Sequence, residues 1–147
     1  MVTKSLARES DETATMTIDR IVDALRAAWN RHDAQAFAQC FAGDAEFTNV
    51  FGMTAHGRSE IERNHATLFS TFLKDTSWTK SEARIRWIRR DVACVDIRWE
   101  LIGSRDAEGN PWSPRLGLIN FVATGIDGDW LIEIFHNMDL PRAAAAC

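Results

Sequence analysis

Between residues 93 and 101 the chain alternates without a break. Ala93, Val95, Ile97, Trp99 and Leu101 fall on one side, and Cys94, Asp96, Arg98 and Glu100 fall between them. A period of two over that length predicts a long strand with one apolar face, and that face has to be covered by other elements. Its neighbours supply the rest of a sheet. Ala83, Ile85 and Trp87 alternate with Arg84 and Arg86, and Arg89-Arg90-Asp91 forms a turn before the long strand. The segment GSRDAEGNPWSP, with Gly103, Gly109 and two prolines, reads as a loop. A strand from about Arg115 to Thr124 follows, then a Gly125–Gly128 turn and a last strand from about Trp130 to Asn137. Asp127-Gly128 in that turn is a hairpin signal, so these strands are expected to run antiparallel.

The first half has a different period. Ile18, Ile21, Val22, Leu25, Ala28 and Trp29 form one apolar helical stripe that ends at Asn30-Arg31-His32. Asp33 suits an N-cap for a second helix, AQAFAQCFA, which runs to Gly43 and turns Ala36, Phe37, Cys40 and Phe41 inward. In DAEFTNVFG the period drops to two, so Ala45, Phe47, Asn49 and Phe51 share a face, and Met53–His56 reads as a short return strand. Ser59 and Glu62 fit a capping box, with Gly57 or Arg58 as the alternative boundary, for a helix reaching about Leu73 with Ile61, His65, Leu68, Phe69 and Phe72 as its inward stripe. This order predicts an α+β, cone-shaped fold: three N-terminal helices packed on a strongly curved, mixed but mostly antiparallel sheet, with a cavity between them. Residues 1–16 are polar and aperiodic and read as a mobile arm. Residues 17–140 read as a single domain, and 141–147 as a C-terminal tail.

A chain of 147 residues fits one domain. Its 17 basic and 21 acidic side chains leave a net charge of −4, which argues against a nucleic-acid partner. No apolar run approaches the roughly 18 residues of a membrane helix, and the N-terminus lacks a signal peptide's apolar region, so a cytoplasmic protein without a membrane partner is expected. Cys40 and Cys94 read as small buried hydrophobes and Cys147 as an exposed free thiol; their spacing suits neither a disulfide framework nor zinc. Four histidines without HxH or HExxH spacing make no metal site. No phosphate loop, dinucleotide fingerprint or G-x-S-x-G elbow occurs, so no cofactor is expected.

The segments AAWNRHDAQAFAQCFAGDAEFTNVFG, HGRSEIERNHATLF and GDWLIEIFHNMDLP, taken with the element order, resemble the nuclear transport factor 2-like superfamily, the SnoaL-like and ketosteroid-isomerase-like fold. The histidine after the Gly57-Arg58 stretch and the His-Asn at the end of the last strand look closest to its SgcJ/EcaC-type bacterial branch. The resemblance covers about residues 17–140. It implies a small apolar organic ligand or substrate, handled by isomerisation, cyclisation or dehydration through proton transfer; the alternative within the same fold is a non-catalytic dimeric module for ligand or protein binding. The position where ketosteroid isomerases carry their proton-shuttling Asp is Asn49 here. An amide is not that base, and the chain has no Tyr to replace the isomerase phenol. Scytalone-dehydratase-like enzymes use histidines, which directs attention to His65 and His136.

His65 is either a candidate acid/base in the cavity, since imidazole titrates near neutrality, or a core histidine bonded to a carbonyl. Asn49 and Asn120 are each either cavity-facing amides or satisfied locally. His136 and Asn137 point to opposite faces of the last strand, so at most one faces the cavity. Phe47, Phe51, Phe69 and Trp99 are ligand wall or plain core. Arg84, Arg86, Arg89 and Arg90 read as a solvated face and turn, able to meet Asp96 and Glu100 across the sheet. The Cys94–Glu100 face carries acid and base together. The superfamily's habit of dimerising through its sheet makes that face the expected homodimer interface.

Overall fold

The computed structural model describes residues 2–141, and side chains from residue 12 onward. Its elements are α1 (Val2–Asn30), α2 (Ala34–Ala38), β1 (Phe41–Thr48), β2 (Thr54–His56), α3 (Arg58–Ser70), β3 (Ser77–Arg89), β4 (Val92–Ile102), β5 (Arg115–Ile126) and β6 (Asp129–Leu140). The strands form one six-stranded sheet in the order β2-β1-β6-β5-β4-β3. Only β1 and β6 pair in parallel. The helices lie on one face of this curled sheet, α1 against β3 and α3 against β1 and β2. The expected α+β architecture is therefore the one observed.

Alternation places the core. Ala93, Val95, Ile97, Trp99 and Leu101 of β4 are all buried. Register aligns them with Ala123, Phe121, Ile119, Gly117 and Arg115 of β5, so the inner face is one continuous apolar floor as far as the strand end. Ile132 and Phe135 of β6 and Phe41 of β1 continue it, and Ile18, Leu25, Phe37 and Ile61 of the helices cover it. Both sheet edges are blunted, β2 by its three-residue length and β3 by Lys80, Glu82, Arg84 and Arg86. Asp127 (φ 53°) and Gly128 (φ 84°) are both left-handed, the requirement of a type I′ turn, as the Asp-Gly pair foretold.

Several boundaries differ from expectation. α1 begins at Val2, within the stretch read as an arm, because an apolar stripe reports only the face that packs; full burial starts at Ile18. α2 ends at Ala38, and Cys40 and Phe41 leave it. The Cys40 carbonyl accepts from Ile132 N–H at 2.9 Å, so pairing with β6 draws the chain into the sheet early. α3 opens at Gly57 (φ 86°) with no side-chain cap, so of the two boundaries the sequence offers it is the Gly57-Arg58 one that is used and not the Ser59–Glu62 box. It closes at Ser70, where Leu73 N–H reaches back to the Leu68 carbonyl. Phe72 is thereby thrown off the inward stripe and is 86% exposed, while Leu73 packs on the core instead. β6 runs on to Leu140, past the expected end at Asn137. Residues 142–147, including Cys147, lie outside the described residues.

The Asp33 cap is present as expected: its carboxylate accepts from Ala36 N–H at 3.0 Å. Asp33→Ala is expected to cost about 1 kcal/mol in urea unfolding, and Asp33→Asn much less, because an amide oxygen caps almost as well.

Candidate functional site

The side chains singled out in the sequence separate into four places. The first is the interior around His65. α3 turns Ile61, His65 and Phe69 toward the sheet, and β1 brings Phe47 against them. The His65 ring lies 4.4 Å from Phe37, 4.8 Å from Phe47, 5.8 Å from Phe69 and 6.5 Å from Trp29, centroid to centroid. Phe47 in turn stacks on Phe135 at 4.6 Å. The imidazole is 3% exposed. Burial among these rings pushes its pKa down to about 4, against a smaller opposing effect of its hydrogen bond to the Ile61 carbonyl. A carbonyl only accepts, so the 2.8 Å contact to Ile61 O fixes the proton on Nδ1 and leaves Nε2 as a lone pair. The ring is thus neutral at pH 7, an acceptor at Nε2 and a weak base.

The second place is the β1–β2 turn. β1 stops at Thr48, and Asn49 Oδ1 accepts from the N–H groups of Phe51 (2.9 Å) and Met53 (3.0 Å). This is an Asx-type turn, and it corrects the expectation that Asn49 and Phe51 share the inner face with Ala45 and Phe47. Of the two readings of Asn49, the locally satisfied amide is the one observed: its oxygen is held by its own turn. Phe51, at the tip, is 82% exposed.

The third place lies where β5 begins and β6 ends. The Trp99 indole crosses β5 over Gly117 and donates from Nε1 to Asn137 Oδ1 at 2.8 Å. Of the pair His136 and Asn137, it is therefore Asn137 that faces inward. The Arg115 guanidinium stands 5.8 Å from the Trp99 ring and donates to Asp139 Oδ1 at 2.6 Å.

The fourth is the face of the sheet turned away from the helices. His136 is exposed there, beside Asn120. Register joins Thr54, Thr48, His136, Asn120, Asp96 and Arg84 into one polar row across all six strands. Asn120 Nδ2 donates to Asp96 Oδ1 at 2.7 Å, and Arg84 to Asp96 Oδ2 at 3.3 Å. The row is flanked by Val122 and Ile134 on one side and by Leu118 and Met138 on the other. Asn120 thus sits on the outer face with the Cys94–Glu100 side of β4, away from His65.

Sequence reasoning missed the clasp between α1 and β3. Asn30 Nδ2 donates to the Trp78 carbonyl (3.0 Å), and Trp78 N–H donates to Asn30 Oδ1 (2.7 Å). Trp29 Nε1 reaches Thr76 Oγ1 at 3.3 Å, and His32 Nε2 reaches the Thr76 carbonyl at 3.2 Å. The partners are more than forty positions apart in sequence, and no local pattern announces them. Among the described residues, no group of three or more His, Cys, Asp or Glu side chains is arranged to hold a metal.

The family model of the SnoaL-like domain matches residues 22–123. An uncharacterised protein with a cystatin-like fold from Caulobacter vibrioides is 25% identical over 90% of this chain and 93% of its own, with a TM-score of 0.78. A nuclear transport factor 2-like protein from Novosphingobium aromaticivorans is 19% identical over 99% of this chain and 94% of its own, also at 0.78. A putative scytalone dehydratase from the same species is 18% identical over 91% and 89%, again at 0.78. The last two are similar in fold alone. No functionally curated protein matches this chain.

Proposed function

Because this chain belongs to the SnoaL-like domain family, we propose that it works as a non-catalytic, homodimer-forming module of that fold, with its outer sheet face as the interaction surface. The observation that carries this reading is the separation of the groups a proton-transfer site needs. His65 is enclosed by Phe37, Phe47, Phe69 and Trp29 and bonded to its own helix, while the Asn49 carbonyl oxygen is held by a hairpin turn. The outer face supports the interaction role. Leu116, Ile134 and Met138 are exposed beside the polar row, and Arg84 with Asp96 gives the patch both signs, so it suits its own copy across a two-fold axis. Placement in the SgcJ/EcaC-type branch and in the cytoplasm belongs to the same reading, supported by His65 after the Gly57-Arg58 stretch with the His136-Asn137 pair in β6, and by short apolar runs that give no membrane-crossing helix among the described residues.

At micromolar concentration the wild type is expected to sediment as a dimer. Ile134→Asp places an unpaired charge in the apolar flank and is expected to weaken association at least tenfold, with unchanged circular dichroism. A wild type that sediments only as monomer removes the reading.

One observation favours a second reading, a small apolar ligand handled by His65 as candidate acid/base: the Nε2 lone pair stands among aromatic rings, where a ligand's hydrogen-bond donor would find it. Native mass spectrometry of the purified protein decides between them. An organic molecule retained by the wild type and lost in His65→Leu favours the ligand reading; no retained mass favours the module.

A further inference from the structure

We propose that the end of the sheet where β5 begins and β6 ends is a separate binding site for a flat, electrically neutral organic ligand that presents a hydrogen-bond acceptor beside a donor, as a lactam does. The space is a groove of about 470 Å³ bordered by Trp112, Pro114, Arg115, Leu116, Asp139 and Leu140, within the size range of small-molecule sites. It lies apart from the rings around His65 and shares Leu116 with the outer face, while the groups argued to hold the ligand, Trp112, Arg115 and Asp139, belong to neither reading above.

Its floor is held rigidly. Gly117 leaves room for the Trp99 ring to lie flat on β5, and Asn137 fixes that ring through the indole N–H. The ring supports the Arg115 guanidinium, which Asp139 orients. The wall is the loop before β5, tied down by Trp112 N–H to the Ser104 carbonyl at 2.8 Å and by the Asp106 carboxylate, which accepts from the N–H groups of Glu108 and Asn110. On that wall the Trp112 ring is 60% exposed, an apolar platform facing water.

The ligand class follows from the Arg115–Asp139 pair. Only one guanidinium N–H is engaged by Asp139, so donors remain on Arg115, and Asp139 Oδ2 remains as an acceptor. The pair is neutral as a unit. A ligand carboxylate is drawn by Arg115 but repelled by Asp139, and a ligand ammonium meets the reverse. A lactam edge satisfies both, its carbonyl accepting from Arg115 and its N–H donating to Asp139, while its flat body covers Trp112 and Pro114.

The test uses 2-quinolone as probe, with 2-naphthoate as the charged comparison, titrated into the full chain by calorimetry. The wild type is expected to bind 2-quinolone with a submillimolar Kd and at least tenfold more tightly than 2-naphthoate. Trp112→Ala is expected to weaken 2-quinolone at least fivefold. Asp139→Met, which leaves Arg115 unopposed, is expected to reverse the preference in favour of 2-naphthoate, a change that mere loss of structure does not produce. The proposal is overturned if the wild type binds neither probe at millimolar concentration, if it binds both equally, or if Asp139→Met leaves the preference as it was.

Discussion

Gly117→Ala is expected to destabilise the protein by about 3 kcal/mol, although it adds a single methyl group in the middle of a strand. A Cβ at position 117 falls 1.9 Å from Cζ2 and 2.0 Å from Cε2 of Trp99. These are ring atoms of a side chain that is buried and bonded to Asn137, so the indole has to lift off β5 as a whole. Lifting it breaks the Nε1–Asn137 hydrogen bond, strips Arg115 of its platform and leaves a void on the inner face of β4. A displaced tryptophan approaches the roughly 3–5 kcal/mol lost when a large buried ring is truncated. The cause is separable from an intrinsic preference at position 117. In a Trp99→Ala background the same Gly117→Ala change is expected to cost less than about 0.5 kcal/mol, since the methyl group then enters vacated space and alanine loses less backbone entropy than glycine. Equal costs in the two backgrounds, measured by urea unfolding, would sink the wedge argument.

The second large effect is at His65, and it has a pH signature. His65→Ala is expected to cost about 3 kcal/mol by opening a cavity among Phe37, Phe47 and Phe69. His65→Leu is expected to stay within about 1 kcal/mol of wild type at pH 7, because the Ile61 carbonyl keeps its helical partner within α3 and the site is apolar. The folded-state pKa of about 4 lies below the unfolded value of 6.5, so the unfolded chain binds the extra proton first. The corresponding stability is fully present above pH 6.5 and lost as the pH falls toward 4. One pKa unit corresponds to about 1.4 kcal/mol, so the wild type is expected to lose about 3 kcal/mol from this group between pH 7 and pH 4. His65→Leu and His65→Gln, neither of which titrates, should lack that slope. A wild-type slope identical to that of both variants would show that the ring is not desolvated as the packing requires. If His65→Leu proves as damaging as His65→Ala, the core reading of this residue fails, and with it the argument for a non-catalytic interior.

The interior was half legible. Helical spacing put His65 with Ile61 and Phe69, and alternation put Phe47 and Trp99 on inner faces, because burial of one face imposes these periods directly. Asn49 defeated the same reasoning. Extending the period of β1 by one more inner position places it inside, yet an asparagine three residues before a glycine and four before Met53 gains more from closing a turn on its own backbone. Phe72 failed for a related reason. The stripe was right, but α3 ended at Ser70, and beyond a helix end the period no longer says which way a side chain points.

The sequence by itself determined the element order, the strand faces, the Asp33 cap and the Asp127-Gly128 turn, since each depends on residues within a few positions of one another. Tertiary structure alone decided what lies beside what. The Asn30–Trp78 clasp, the Trp99 ring lying over Gly117 on its way to Asn137, the Arg115–Asp139 pair and the polar row from Thr54 to Arg84 all join residues on different strands or helices. Their contacts are set by sheet register and by the order β2-β1-β6-β5-β4-β3. Register is a collective property of pairing and packing, and a shift of one residue exchanges the two faces of a strand. Beyond the hairpin at Asp127-Gly128, no local pattern states which strand will lie next to which, and the neighbours that give these side chains their chemistry follow from that choice.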